Sequence, residues 1–244
     1  MKNFAKKILQ KLLGIHLYLF IFSLFVIIKL RWDKNEKDFL TFLKTIPNDG
    51  IILDIGANIG VMTRYFAMRK KNAEVFSFEP VPFNFRVLKR IVSFFRIRNV
   101  KIFKLAVGER NDTIEIVIPK NNNVTLHGLC HVEGVDGEKG DFDRIQTKMI
   151  YLDGFSDISN RSKKVVGIKL DVENYEYHVL EGAKNLIQTD RPSIYAELWD
   201  NENRQKCFEL MKNMNYETYS FEGKKMIAFN KTNYKGQNFV FLPK

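Results

Sequence analysis

Between Ile51 and Leu198, apolar runs of strand length alternate with helical segments of about ten to fifteen residues. That rhythm confines the chain to βαβ units and a sheet covered by helices on both faces. Residues 51–55 read as a buried strand, 61–71 as a helix, 74–78 as a second strand, 83–95 as a second helix and 100–106 as a third strand. The rhythm then breaks: 113–118 and 143–152 alternate like exposed strands around an irregular glycine-rich stretch, 128–140. It resumes with a strand at 165–170, a helix over 175–188, a strand at 193–198, a helix near 204–214 and closing strands at 216–221 and 238–242. The expectation is an α/β fold: a doubly wound, mostly parallel seven-stranded sheet. A β-rich segment is inserted between strands 3 and 4, and an apolar helix stands at the N-terminus. Residues 49–244 form the domain and residues 1–48 a basic, apolar helical arm. At 244 residues the chain can bury one sizeable core. Cys130 and Cys207 stand too far apart for a metal or disulfide pattern, which argues against a small stapled secreted fold and for a reducing compartment.

The sharpest local feature is Leu53-Asp54-Ile55-Gly56-Ala57-Asn58-Ile59-Gly60, which leaves a strand and opens a helix. Ligands of open α/β sheets bind at the carboxyl ends of the strands, and glycines there allow close backbone approach. A dinucleotide site would carry G-x-G-x-x-G around a pyrophosphate. Here Asn58 occupies the second glycine position, and Asp54 would repel a pyrophosphate. That carboxylate suits an ammonium, such as the one on the methionine moiety of S-adenosylmethionine. Glu79 follows Gly60 by nineteen positions, at the end of the second strand, where a carboxylate can accept both ribose hydroxyls. Asp54, Gly56, Ala57, Asn58, Gly60, Glu79, Pro80, Leu105 and Ala106 are the candidate cofactor residues.

With these residues the chain resembles the FkbM-type methyltransferases, a group similar to the O-methyltransferases of the class I Rossmann-like fold. The resemblance runs in order through LDIGANIG (53–60), SFEP (77–80), LAVGE (105–109), YLD (151–153), IKLDVENYEYHVLEGA (168–183) and PSIYAEL (192–198). The fourth-strand block is the most specific of these. It departs from the family pattern at Asn174, where the family usually has glycine, a change that asparagine's tolerance of left-handed backbone softens. The resemblance implies transfer of a methyl group from S-adenosylmethionine to a hydroxyl of a sugar, a glycan precursor or a small metabolite.

Methyl transfer requires alignment and removal of the acceptor proton. Asp171 and Glu173, at the end of the fourth strand, are candidates for the acceptor-facing carboxylate and a second polar contact, with Lys169 neutralising or orienting them. His127 and His131 flank Cys130 in the insertion, and either could act as general base. His127 is taken as the third catalytic candidate. With Glu133 and Asp136 the two histidines could instead hold a metal, but His-x₃-His in a loop is weak support, and no metal is expected. A nicotinamide oxidoreductase is disfavoured by Asp54 and Asn58. A nucleic-acid methyltransferase, the second alternative, lacks both the Asn/Asp-Pro-Pro-aromatic and the Pro-Cys signatures. A non-catalytic binding protein on the same fold remains the third reading.

The net charge of +11 is unevenly placed: +6 over residues 1–31, +9 over 60–110 and −4 elsewhere. Such a field suits a membrane surface, nucleic acid or a phosphorylated substrate, or simply a solvated face. Leu12 to Ile28 is uncharged and apolar, and no small-residue cleavage site follows it. A spanning helix needs roughly 20 apolar residues; this run has seventeen, with Gly14, His16 and Ser23 among them. Lysines before it would hold that end in the cytoplasm and export the domain away from its cofactor. The expectation is a helix that lies in the membrane interface or packs on the domain, with Trp32 at its boundary. A cytoplasmic protein follows, with peripheral membrane contact through residues 1–32 and nucleic acid disfavoured as partner.

Overall fold

The computed structural model describes residues 2–30, 37–121, 124–126, 128–134, 141–223, 225–230, 234 and 236–244. Two helical stretches, α1 (Lys2–Lys29, kinked at Gly14 with φ 69° and ψ 156°) and α2 (Lys37–Thr45), precede the first βαβ units: β1 (Asp49–Ile55), α3 (Val61–Arg69), β2 (Asn72–Phe78), α4 (Pro82–Phe94) and β3 (Val100–Phe103). The insertion supplies β4 (Ala106–Val107), β5 (Asp112–Asn121), β6 (Val124–Thr125), β7 (His131–Val132) and β8 (Asp141–Ile150). After a 3₁₀ turn at Leu152–Gly154 come α5 (Ser156–Ser159), β9 (Val165–Leu170), α6 (Glu176–Glu181), α7 (Lys184–Asp190), β10 (Ser193–Glu197) and α8 (Glu202–Asn213). The chain closes with β11 (Tyr216–Glu222), β12 (Lys225–Ala228) and β13 (Asn238–Pro243).

The main sheet corrects the expected count and character. It has eight strands, in the order β12-β11-β13-β10-β9-β1-β2-β3, and it is mixed. β3, β2, β1, β9 and β10 are parallel, whereas β13 pairs antiparallel with both β10 and β11, and β12 folds back on β11. The added strand is a hairpin: Glu222 pairs with Lys225 across a turn with Gly223 at φ 60°. The expected third strand also ends early. It stops at Phe103, and Ala106–Val107 instead joins β8 in the second, five-stranded sheet.

Side-chain alternation fixes which helices lie on which face. Ile51, Leu53 and Ile55 of β1, with Phe76, Phe78, Ile194, Ala196, Phe239 and Phe241, point to a core shared with α5, α6, α7 and α8. Ile52, Val75, Tyr195 and Val240 point the opposite way, to a core shared with α1, α2, α3 and α4. The arm is therefore part of the domain's packing: Leu19, Phe20 and Ile27 of α1 and Phe39 and Phe42 of α2 are buried there. The expected single helix over 175–188 breaks at Gly182 and Ala183. A Cβ at Gly182 would overlap the Gly108 carbonyl, and Asp153 accepts from the backbone N–H groups of Asn185 and Leu186 (both 2.9 Å), starting α7 anew.

Chain order reverses between β1 and β9: β2 and β3 extend one way from β1, β9 and β10 the other. The crevice at the carboxyl ends of these two strands is the switch point where open α/β sheets bind ligands.

Candidate active site

Ile55 ends β1 and Leu170 ends β9, and the turns that follow touch. Gly56 has φ 75°, and a Cβ there would overlap the Asp171 carbonyl oxygen. Only glycine lets the two strand ends close in this way. The turn is held by Gly56 and Ala57 N–H donating to the Phe78 carbonyl (3.1 and 2.9 Å), with Asn58 at φ 48° and Gly60 at φ 82°. Above it opens a cavity of about 410 Å³ lined from both sheets.

One part of the wall comes from the nucleotide half of the fold. Gly56, Asn58, Phe78, Glu79, Pro80, Leu105 and Ala106 line it. Glu79 is 4% exposed and accepts from the Asn58 N–H (2.7 Å) and the Val81 N–H (2.9 Å). Burial pushes its carboxyl up to about 7, against the pull of those two N–H groups, Asn84 and Lys169. The other part is acidic and aromatic: Asp171, Glu173 and Glu197 with Trp199 and Tyr175. The insertion closes it with Gly128, Leu129, Cys130, His131 and Val132.

Three of the sequence-derived cofactor residues lie away from this lining. Ala57 and Gly60 shape the turn from behind. Asp54 is fully buried on the α3 side of β1, where it accepts from the Thr63 hydroxyl at 2.6 Å. Its other oxygen lies 3.6 Å from Lys169 Nζ. Asp54, expected to bond a ligand ammonium directly or through water, thus stands outside the cavity lining and next to Lys169. Lys169 Nζ donates to the Gly56 carbonyl (2.8 Å) and stands 3.2 Å from the Asp171 carboxylate. Burial opposes the Lys169 charge, but Asp171 and Asp54 outweigh it and hold the ammonium above its usual range. A chain of charges, with Asp54 and Lys169 buried and Asp171 at the cavity surface, therefore sits under the glycine turn.

Glu173 and Asn174 are both left-handed, at φ 52° and 72°. Asn174 accepts from the Asn201 side chain at 2.8 Å, so asparagine serves where the family pattern has glycine. Asn174→Ala is expected to lose about 1–2 kcal/mol of stability, and Asn174→Gly to lose less, read by urea unfolding. Burial, then the neighbouring Asp171, Glu197 and Glu176, pushes Glu173 up to about 9. At neutral pH it carries a proton and donates, which suits a polar contact and not a base. Because the fold favours the protonated form, stability is complete below the ordinary glutamate range. It declines as pH rises, first through about 7 for Glu79 and Glu176 and then through about 9 for Glu173. Thermal midpoints should fall between these values, and Glu173→Gln should flatten the upper part of the curve.

His127 lies outside the described residues, as does Asp136. His131 is the histidine placed at the cavity. Its Nδ1 is 3.1 Å from the Leu129 carbonyl, which can only accept, so Nδ1 carries the hydrogen. Its Nε2 is buried and has no hydrogen-bond partner among the described residues. Burial pushes the Cys130 thiol up, away from nucleophilic use. Sequence reasoning missed Trp199, Gln237 and Tyr175 as lining residues: Trp199 follows β10 and Gln237 precedes β13 outside any motif, and Tyr175 lies in the fourth-strand block with no role that its spacing indicates.

Residues 54–231 match the family described as the methyltransferase FkbM domain. The chain belongs to that family. Methyltransferase 1 of Beauveria bassiana (strain ARSEF 2860) is 24% identical over 167 residues, 64% of this chain and 67% of that protein. The crystal structure of methyltransferase FkbM from Methylobacillus flagellatus KT matches with a TM-score of 0.53 at 14% identity, over 80% of this chain and 44% of that one. This FkbM chain thus spans less than half the length of that relative. An S-adenosylmethionine-dependent O-methyltransferase from Thermotoga maritima matches with a TM-score of 0.46 at 12% identity, over 84% of this chain and 63% of that one. The family is one of methyltransferases, for which S-adenosylmethionine is the expected methyl donor. The lining is compatible with that cofactor: Phe78, Leu105 and Ala106 give apolar walls, Glu79 stands at the end of β2, and Asp171 and Glu197 suit a cationic ligand.

Proposed function

We propose that this FkbM methyltransferase acts on a hydroxyl of a sugar, a glycan precursor or a small metabolite. The observation that carries this reading is the acceptor side of the cavity, where Asp171, Glu173 and Glu197 stand beside Trp199 and the His131 imidazole, groups suited to hold and deprotonate a hydroxyl. When bound, S-adenosylmethionine supplies a methyl group already activated on a sulfonium. The chain must then orient the acceptor, exclude water and take one proton. The His131 imidazole, in the cavity lining, is the group assigned to take the hydroxyl proton. Asp171 and Glu197 accept from the acceptor's other hydroxyls while protonated Glu173 donates, and Trp199 offers an apolar face to a ring. Orientation of this kind is worth about 7–11 kcal/mol in model reactions, and a positioned base about 10²–10⁴-fold. A phosphodiester fits poorly, since Glu79, Asp171, Glu173 and Glu197 all line the cavity and the basic residues lie elsewhere.

His131→Ala should lower kcat by about 10²–10⁴-fold with little change in the KM for S-adenosylmethionine. An unchanged kcat, with the loss appearing in Asp171→Asn alone, would move the base to Asp171. Labelled methyl transfer to a panel of polyols and sugars tests the acceptor. An ether product stable to alkali supports the hydroxyl reading; a saponifiable ester or a methylamine refutes it.

A further inference from the structure

We propose that the face formed by α1, α3 and α4 docks on an anionic bilayer surface, with α1 lying flat in the headgroup region. This inference stands apart from the choice of acceptor. α1 is apolar on two sides, and only one is used by the domain. Leu19, Phe20, Ile27 and Leu30 turn inward, and the Tyr65 hydroxyl donates to the Ile27 carbonyl at 2.8 Å. Ile21, Phe25 and Ile28 turn outward at i, i+4 and i+7, and are 48%, 60% and 62% exposed. They form one stripe along the helix. Phe94 of α4, 59% exposed, extends that stripe and meets the Phe20 ring edge-on at 5.6 Å.

Charge says what covers the stripe. None of α1, α3 and α4 contains an aspartate or glutamate. Arg86 lies 3.0 Å from His16 of α1, Arg90 stacks over the Phe20 ring at 4.3 Å, and Lys11, Lys29 and Lys89 are exposed beside them. Among the described residues of these helices, exposed aromatic and aliphatic side chains stand with cations and no carboxylate, which matches the headgroup region of an anionic leaflet. The stretch Gln10–Lys29 is long and apolar enough to cross a membrane, with mean hydropathy 2.2. A crossing would, however, pull Leu19, Phe20 and Ile27 out of a shared core and leave Phe39, Tyr65 and Phe66 facing water. α1 also lies against β6, so the docked face runs up to the inserted sheet that lines the cavity.

The test is flotation of the purified full chain with vesicles of phosphatidylcholine, alone or doped with phosphatidylglycerol. Binding should require phosphatidylglycerol and weaken with salt. Phe25→Glu with Ile28→Glu, both exposed positions, should lower the partition coefficient by about tenfold or more. Lys11→Glu with Lys89→Glu should lower it by a similar factor, and both variants should keep wild-type circular dichroism and S-adenosylhomocysteine binding. Three results would overturn the proposal. The first is partition that the substitutions leave unchanged. The second is binding to neutral vesicles that survives alkaline extraction, which would mean a span. The third is a dimer in water that Phe25→Glu dissolves while vesicles capture nothing.

Discussion

Gly56→Ala should abolish cofactor binding while most of the secondary structure persists. At φ 75° a side chain costs about 1–2 kcal/mol, and a Cβ there would overlap the backbone oxygen of Asp171. That oxygen has little room to retreat, because the Asp171 N–H donates to the Ile55 carbonyl (3.2 Å) and its carboxylate is held by Lys169 (3.2 Å). Overpacking of this kind adds about 1–3 kcal/mol, so the strand ends must separate and the cavity floor opens. Calorimetry with S-adenosylhomocysteine should show a Kd raised by about 100-fold or more. Wild-type affinity in this variant would mean that contact between the β1 and β9 turns does not shape the site.

Lys169→Met is expected to damage the fold itself. Lys169 is 2% exposed and is the cation between Asp54, Asp171 and the Gly56 carbonyl. Removing one member of a buried ion pair costs about 3–5 kcal/mol, a large part of a typical total of about 5–15 kcal/mol. The loss should shrink as pH falls, because burial already raises Asp54 and, without Lys169, it is taken up neutral. Adding Asp54→Asn to Lys169→Met should recover much of the stability at neutral pH, since the buried charge left behind is then gone. Urea unfolding of the two single variants and the double variant measures this coupling directly. A loss below about 1 kcal/mol in Lys169→Met would show the chain of charges to be incidental.

The parallel half of the sheet was legible because its signals are local. Apolar strand runs, glycine turns and helical periodicity place β1, β2, β9 and β10 within a few residues of where they stand. What escaped depends on contacts between distant residues. The division of 100–107 between two sheets is set by pairing with β8, and the break at Gly182 by the approach of Gly108. The site divides in the same way. Gly56, Asn58 and Glu79 were readable from spacing, since a strand end and its turn fix where they point. Asp54 has the right position but faces the other side of β1, because side chains alternate along a strand and the partners Thr63 and Lys169 lie on the α3 face. Between His127 and His131 spacing offers no choice, as both sit in an irregular insertion. Of the two, the structure describes only His131, which lines the cavity.

The central claim is that the cavity above the β1 and β9 turns binds S-adenosylmethionine, with Glu79 as an essential part of its wall. Calorimetric titration of the full chain with S-adenosylhomocysteine and, separately, with NAD, repeated on Glu79→Ala, tests it most directly. The account expects micromolar binding of S-adenosylhomocysteine, no binding of NAD, and loss of the signal in the variant. Binding of NAD in its place, or S-adenosylhomocysteine bound equally well without Glu79, would contradict it.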